Sequence, residues 1–208
     1  MSLEDWYATQ RISICTLSFH CMGLLRFFAI YLRKAKNITY YDFYMNLYEW
    51  IERESKTVKK LLERTCDTFE NFFKGEGNLY FADERFGNIY WDFDDGMFLC
   101  CAAELDAFYN DVSDYLKQYF DDDSLFEDLF KYQKERIALP AVEEKTITTE
   151  YDWYDYFEHI FDETITEPQM EHSVLQIAES TTKTWPEYAR DAVWYGKRNG
   201  RMLNKVKN

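Results

Sequence analysis

The sequence predicts a mainly helical α+β fold. One compact domain over residues 1–208 is built around a long central N-terminal helix, with a short β-hairpin in the middle and a small β element near the C-terminus. Three observations predict it. Apolar residues are 47% of the chain and charged residues 30%, the balance of a sequence that buries a core. Aromatic residues reach 19% while there are only 7 Gly and 3 Pro, which excludes collagen-like, linker-like and low-complexity chains. Apolar residues recur at spacings of three and four over most of the length, and alternate only in short stretches. A chain of ~200 residues needs no disulfide or metal staple to hold such a core.

Ser2 before Glu4 and Asp5 is a helix N-cap followed by first-turn acids, which place negative charge at the positive end of the helix dipole. Apart from Gly23, nothing interrupts the helical pattern before Asn37. The reading is therefore one long helix to about Ala35, apolar on nearly all sides between Ile12 and Ile30, as a helix inside a bundle is. Thr39 caps a second helix carrying Phe43, Leu47, Trp50 and Ile51. Ser55 caps a third with Val58, Leu61, Leu62, Cys66, Phe69 and Phe73, ended by Gly75 and Gly77. Leu79 to Phe81 and Ile89 to Phe93 flank a loop holding Gly87, which reads as a short hairpin.

Met97 to Phe120 outlines a fourth long helix. Asp121 to Asp123 breaks it and opens a fifth with Leu125, Phe126, Leu129, Phe130 and Ile137, stopped at Leu139-Pro140. Lys145 to Tyr151 and Ser173 to Ala178 alternate as strands do, while Trp153 to Phe161 fits either class. Thr184-Trp185-Pro186-Glu187 combines a Thr cap, an early proline and a Glu three residues on, so a last helix is expected to about Asn199 with Gly200 after it.

The formal net charge is −14, and such a surface repels nucleic-acid backbones; no nucleic-acid partner is expected. The charge is uneven. Asp83 to Asp128 holds 14 acids against Arg85 and Lys117, whereas Lys183 to Asn208 holds 7 bases against Glu187 and Asp191. The acidic stretch reads as solvated helix faces, and the basic end as a contact surface for a partner or for the acidic part of the chain itself. Five cysteines at Cys15, Cys21, Cys66, Cys100 and Cys101 show no disulfide framework and fit a reducing cytoplasm. The apolar stretch Ile12 to Leu25 contains His20 and spans 14 residues, short of the ~20 that a membrane span requires. No basic region precedes it as in a signal peptide.

Chemical motifs are sparse. Asp92, Asp94, Asp95 and Gly96 open like a calcium loop, but the twelfth position from Asp92 is Ala103 where a Glu is required. Cys15 and Cys21 lie about 240° apart around a helix, so they do not form a pair with His20. The three histidines, His20, His159 and His172, are too few and too scattered for a His-rich zinc site, and no phosphate loop or nucleophile elbow is present. Arg26, if buried, requires a partner, for which an internal acid is the expectation.

Three stretches together resemble the C-terminal region of cobalamin-binding-type radical SAM proteins, a family of Fe–S oxidoreductases and methyltransferases. They are Met1 to Trp6; His20-Cys21-Met22-Gly23-Leu24-Leu25-Arg26-Phe27-Phe28-Ala29-Ile30-Tyr31-Leu32 running into Ile38-Thr39-Tyr40-Tyr41-Asp42-Phe43-Tyr44; and Ala192-Val193-Trp194-Tyr195-Gly196-Lys197-Arg198-Asn199-Gly200-Arg201. The resemblance implies a parent protein with a cobalamin domain and a barrel that binds S-adenosylmethionine and a [4Fe–4S] cluster through Cys-x3-Cys-x2-Cys. That motif is missing here, and cluster ligands must be thiolates at set spacing. The expectation is therefore an accessory domain without its own catalytic, cofactor or metal residues, whose partners are the catalytic domains of the same polypeptide. From their place in the family-like segments, His20, Arg26, Tyr195, Arg198 and Arg201 are expected to border one concave surface that contacts substrate or the catalytic part. Trp194 and Tyr195 are alternatively core aromatics docking the last helix on the first. A free-standing acidic module that binds a basic protein is the alternative function.

Overall fold

The computed structural model describes residues 1–194 and 203–206, and the side chains of all these except Leu203 and Asn204. The architecture is mainly helical, as expected. Helix α1 (Leu3–Thr16) starts from a complete capping box: Ser2 Oγ accepts from the Asp5 N–H, and the Asp5 carboxylate accepts from the Ser2 N–H. It continues through a π-helical turn, Leu17–Cys21, and enters the core only from Ile14 onward, the preceding residues being half-buried or exposed. The expected continuation to Ala35 is not formed. After Cys21 the chain turns by 85° into α2 (Arg26–Ala35). Gly23 makes the turn at φ 98°, a conformation that side chains with a Cβ adopt at a cost.

Helices α3 (Tyr40–Arg53), capped by Thr39 as expected, and α4 (Thr57–Phe73) follow. The hairpin expected next reduces to one antiparallel bridge between Phe81 and Trp91, both buried, around a 3₁₀ turn at Glu84–Phe86. The stretch read as one helix is two, α5 (Phe93–Ala103) and α6 (Leu105–Lys117), because Glu104 leaves the helical region at ψ 44°. Helix α7 (Asp123–Glu135) is capped by Asp122, whose carboxylate accepts from the Ser124 and Leu125 N–H groups. It ends well before Pro140.

Strands β1 (Lys145–Thr149) and β2 (Ser173–Ile177) pair antiparallel with Ile147 opposite Leu175. A third strand, β3 (Leu203–Lys205), adds to the free edge of β2. The ambiguous segment between β1 and β2 is helix α8 (Trp153–Glu158). The capping box at Thr184 starts α9 (Trp185–Tyr188), which becomes a π-helical turn at Ala189–Trp194; its expected extension to Asn199 and Gly200 lies outside the described residues.

The core is unusually aromatic. Phe28, Phe126 and Phe130 gather with Phe120 and Tyr31 between α2, α6 and α7, and Tyr31 meets Trp153 edge-on at 5.7 Å. Offset and edge-to-face pairs of this kind add about 0.5–1.5 kcal/mol each beyond the area they bury. Gly96 on α5 lies directly under the Phe81 ring, with no room for a Cβ, which ties the 79–91 segment to the helical core. Among the described residues no single helix is long and apolar enough to cross a membrane.

Candidate functional site at the α1–α2 bend

The bend leaves a run of backbone carbonyls without helical partners, and each needs a donor because buried polar groups are costly unpaired. The Leu17 carbonyl still accepts from the Met22 N–H within the π turn (2.9 Å), and the Phe19 carbonyl accepts from the Leu25 N–H (2.8 Å). Arg26 supplies the next two: Nε donates to the His20 carbonyl at 2.8 Å and Nη2 to the Cys21 carbonyl. Gln133, fully buried on α7, donates to the Gly23 carbonyl at 2.8 Å and accepts from the Phe27 N–H at 2.9 Å. Tyr109 on α6 donates to the Leu24 carbonyl at 2.7 Å. The expected acid beside Arg26 is thus replaced by the C-terminal end of α1, where a cation also meets the negative end of the helix dipole.

His20, the other predicted residue within the described chain, lies at the same corner. Its Nδ1 is 3.0 Å from the Tyr44 hydroxyl of α3, and its ring stands 5.1 Å from Tyr40. Burial and the nearby Arg26 charge hold the imidazole below its ordinary value, while burial pushes the Tyr44 hydroxyl well up. The pair is therefore a neutral hydrogen bond at neutral pH. Arg26 is itself lowered, chiefly by burial and in part by Arg136. Arg136, at the end of α7, lies over the Phe27 ring at 5.2 Å and has a buried Nε with no hydrogen-bond partner among the described residues. Two guanidinium groups and a neutral histidine thus meet here.

The structure brings His20 and Arg26 together. Tyr195, Arg198 and Arg201 lie outside the described residues. Trp194 is half-exposed and meets Trp91 edge-on at 5.6 Å, so the last helical turn docks on the bridge segment beside α5, not on α1. From the basic tail, Lys205 pairs with Asp152 of the β1–α8 corner, outside the acidic stretch. Gln133, Tyr109 and Arg136 were not predicted as parts of this site. Gly23 stood out locally, but a single glycine is compatible with a continuous helix.

Cysteine chemistry gives no cluster site. Cys21 is exposed, and Cys15, Cys100 and Cys101 are buried. Burial pushes the Cys15 thiol up to about 12 and Cys100 up to about 11, the opposite of what a thiolate ligand requires. Among the described residues no three His, Cys, Asp or Glu side chains converge as metal ligands. The residues present do not fit an iron–sulfur cluster. No protein-family model matches this chain, and no curated protein matches it.

Proposed function

We propose that the chain is an accessory domain of a larger cobalamin-dependent radical SAM enzyme, packing on the catalytic barrel or helping to hold its substrate, with the α1–α2 bend as the face it presents. The observation that carries this reading is the meeting, at one corner, of the two parts of the middle family-like stretch, His20 to Leu32 and Ile38 to Tyr44. His20 from the first and Tyr44 from the second are joined at 3.0 Å, and Arg26 fixes the corner by holding two carbonyls. Tyr40 and Tyr41 stand exposed beside it, at 42% and 73%, and exposed aromatics next to polar groups are favoured at docking surfaces. S-adenosylmethionine, the [4Fe–4S] cluster and cobalamin belong, in this reading, to the other domains. The unpaired thiols suit the cytoplasm in which such an enzyme would work.

A free-standing module that binds a basic protein is the second reading. It is favoured by the net charge of −14 and by the contact of half-buried Tyr80 with exposed Tyr90, their rings tilted and their centroids 4.0 Å apart. An antibody raised against this chain, used on extracts of the source cells, separates the two. The first reading expects a polypeptide far heavier than 25.2 kDa, whose digest contains a Cys-x3-Cys-x2-Cys peptide. A native species of that mass alone, with no such peptide, would refute it.

A further inference from the structure

A groove of about 340 Å³ lies between the exposed face of α4 and the α5–α6 junction, lined by Lys56, Thr57, Lys60, Leu61, Arg64, Cys100 and Glu104. Its charges are distributed unequally. Asp83 pairs with Arg64 at 3.2 Å and with Arg85 at 2.9 Å, and Arg85 also pairs with Glu104 at 3.0 Å. This network of two guanidinium groups and two carboxylates is neutral as a unit. Arg64 is further anchored through the Ala82 carbonyl at 2.5 Å and lies over the Phe81 ring at 4.2 Å, so its remaining N–H groups stand in a fixed position at the wall. Lys56 and Lys60 are left over: neither ammonium group forms an ion pair among the described residues. Asp111, bonded to the Lys56 backbone, is committed to the N-terminus of α4, accepting from Ser55 Oγ at 2.5 Å and from the Lys56 and Thr57 N–H groups at 3.0 and 2.9 Å.

Two like charges four residues apart on one helix face repel, and in a chain of net charge −14 local acids to quench them are abundant. Keeping both ammonium groups unquenched beside a held guanidinium is the pattern of an anion seat. We infer that the α4 groove binds a small phosphate monoester, its dianionic phosphate held by Lys56, Lys60 and Arg64 and its organic part resting on Leu61. The two ammonium groups outweigh the one nearby carboxylate that has no cationic partner among the described residues, Asp111, so the groove is positive, and the volume is at the lower end of the range of ~300–1,000 Å³ for ligand pockets, larger than a bare phosphate requires.

Glycerol phosphate, titrated calorimetrically into the purified chain, is the probe. Binding is expected, tightening between pH ~5.5 and ~7.5 as the ester loses its second proton, which has a pKa near 6; no histidine lines the groove to mimic that change. Lys60→Gln should weaken it about tenfold and Lys56→Gln/Lys60→Gln further still, while Arg33→Gln, an exposed cation on α2 outside the groove, should leave it unchanged. Both lysines are exposed, so the variants keep the fold, and unchanged circular dichroism confirms it. Absence of binding, equal binding by the lysine variants, or succinate binding as tightly at pH ~7.5, where both ligands are dianions, would overturn the inference.

Discussion

Two corners of the molecule solve the same problem with opposite charges. At the α1–α2 bend the chain leaves a helix and strands its carbonyls, and the cation Arg26 closes the gap by donating to His20 and Cys21. At the α7–β1–α8 corner the orphans are N–H groups, and a buried anion closes it: Asp128 accepts from Glu150 at 3.0 Å, Tyr151 at 3.1 Å and the Trp153 indole at 2.9 Å. Asp111 repeats the anionic solution at the start of α4. The sunken charges of this protein thus serve the backbone before they serve each other. Part of the acidic stretch expected to be a solvated face is structural for the same reason.

The anionic corner is the more enclosed, Asp128 being 8% exposed, so breaking it should cost most. Asp128→Ala leaves two buried donors and one part-buried donor without this acceptor, and a loss of about 4 kcal/mol is expected from urea unfolding. Asp128→Asn, which keeps one acceptor oxygen, should recover about half of that. At the cationic corner Arg26→Ala should cost about 2 kcal/mol, because solvent can reach part of the gap, and Arg26→Lys, with a single point donor, about 1 kcal/mol. Gly23→Ala tests the same corner through the backbone and should cost about 1–2 kcal/mol at its positive φ. Equal losses for Asp128→Ala and Arg26→Ala would erase the distinction between the corners.

The smallest expected effect is on acid stability. The Arg85 guanidinium, helped by Arg64, holds the Asp83 carboxyl down at about 2 against an ordinary 3.8. A lowered folded-state value contributes stability that is complete above the ordinary value and lost as pH falls toward the folded one. For Asp111, burial alone would raise the carboxyl, but the hydrogen bonds from Ser55, Lys56 and Thr57 outweigh it and lower it, so its contribution has the same sign. Asp83→Asn should therefore flatten the fall in melting temperature between pH ~4 and ~2, with little change in pH dependence near neutrality. An unchanged acid limb would contradict the pairing.

How much of this was legible in the sequence follows from which interactions are local. The caps at Ser2, Thr39, Asp122 and Thr184 were readable because each partner lies within three residues. The bend was not. Gly23 is tolerated within a helix at a cost of only about 1 kcal/mol, and the groups that decide otherwise, Tyr109 and Gln133, are 85 and 110 residues away in sequence from the carbonyls they satisfy. Glu104 divides α5 from α6 with no Gly or Pro to announce it. The α4 groove did carry a signal: Lys56, Lys60 and Arg64 fall four residues apart on one face of a strongly acidic chain.

The functional account rests on the α1–α2 corner being a docking face, and the exposed Cys21 beside Arg26 reports on it directly. The measurement is the rate of Cys21 alkylation, read by mass spectrometry in the isolated chain and in the native polypeptide purified from its source. The account predicts rapid labelling in the isolated chain, with the buried Cys15 and Cys101 unreactive, and strong protection of Cys21 in the native protein. Equal Cys21 rates in the two would contradict it.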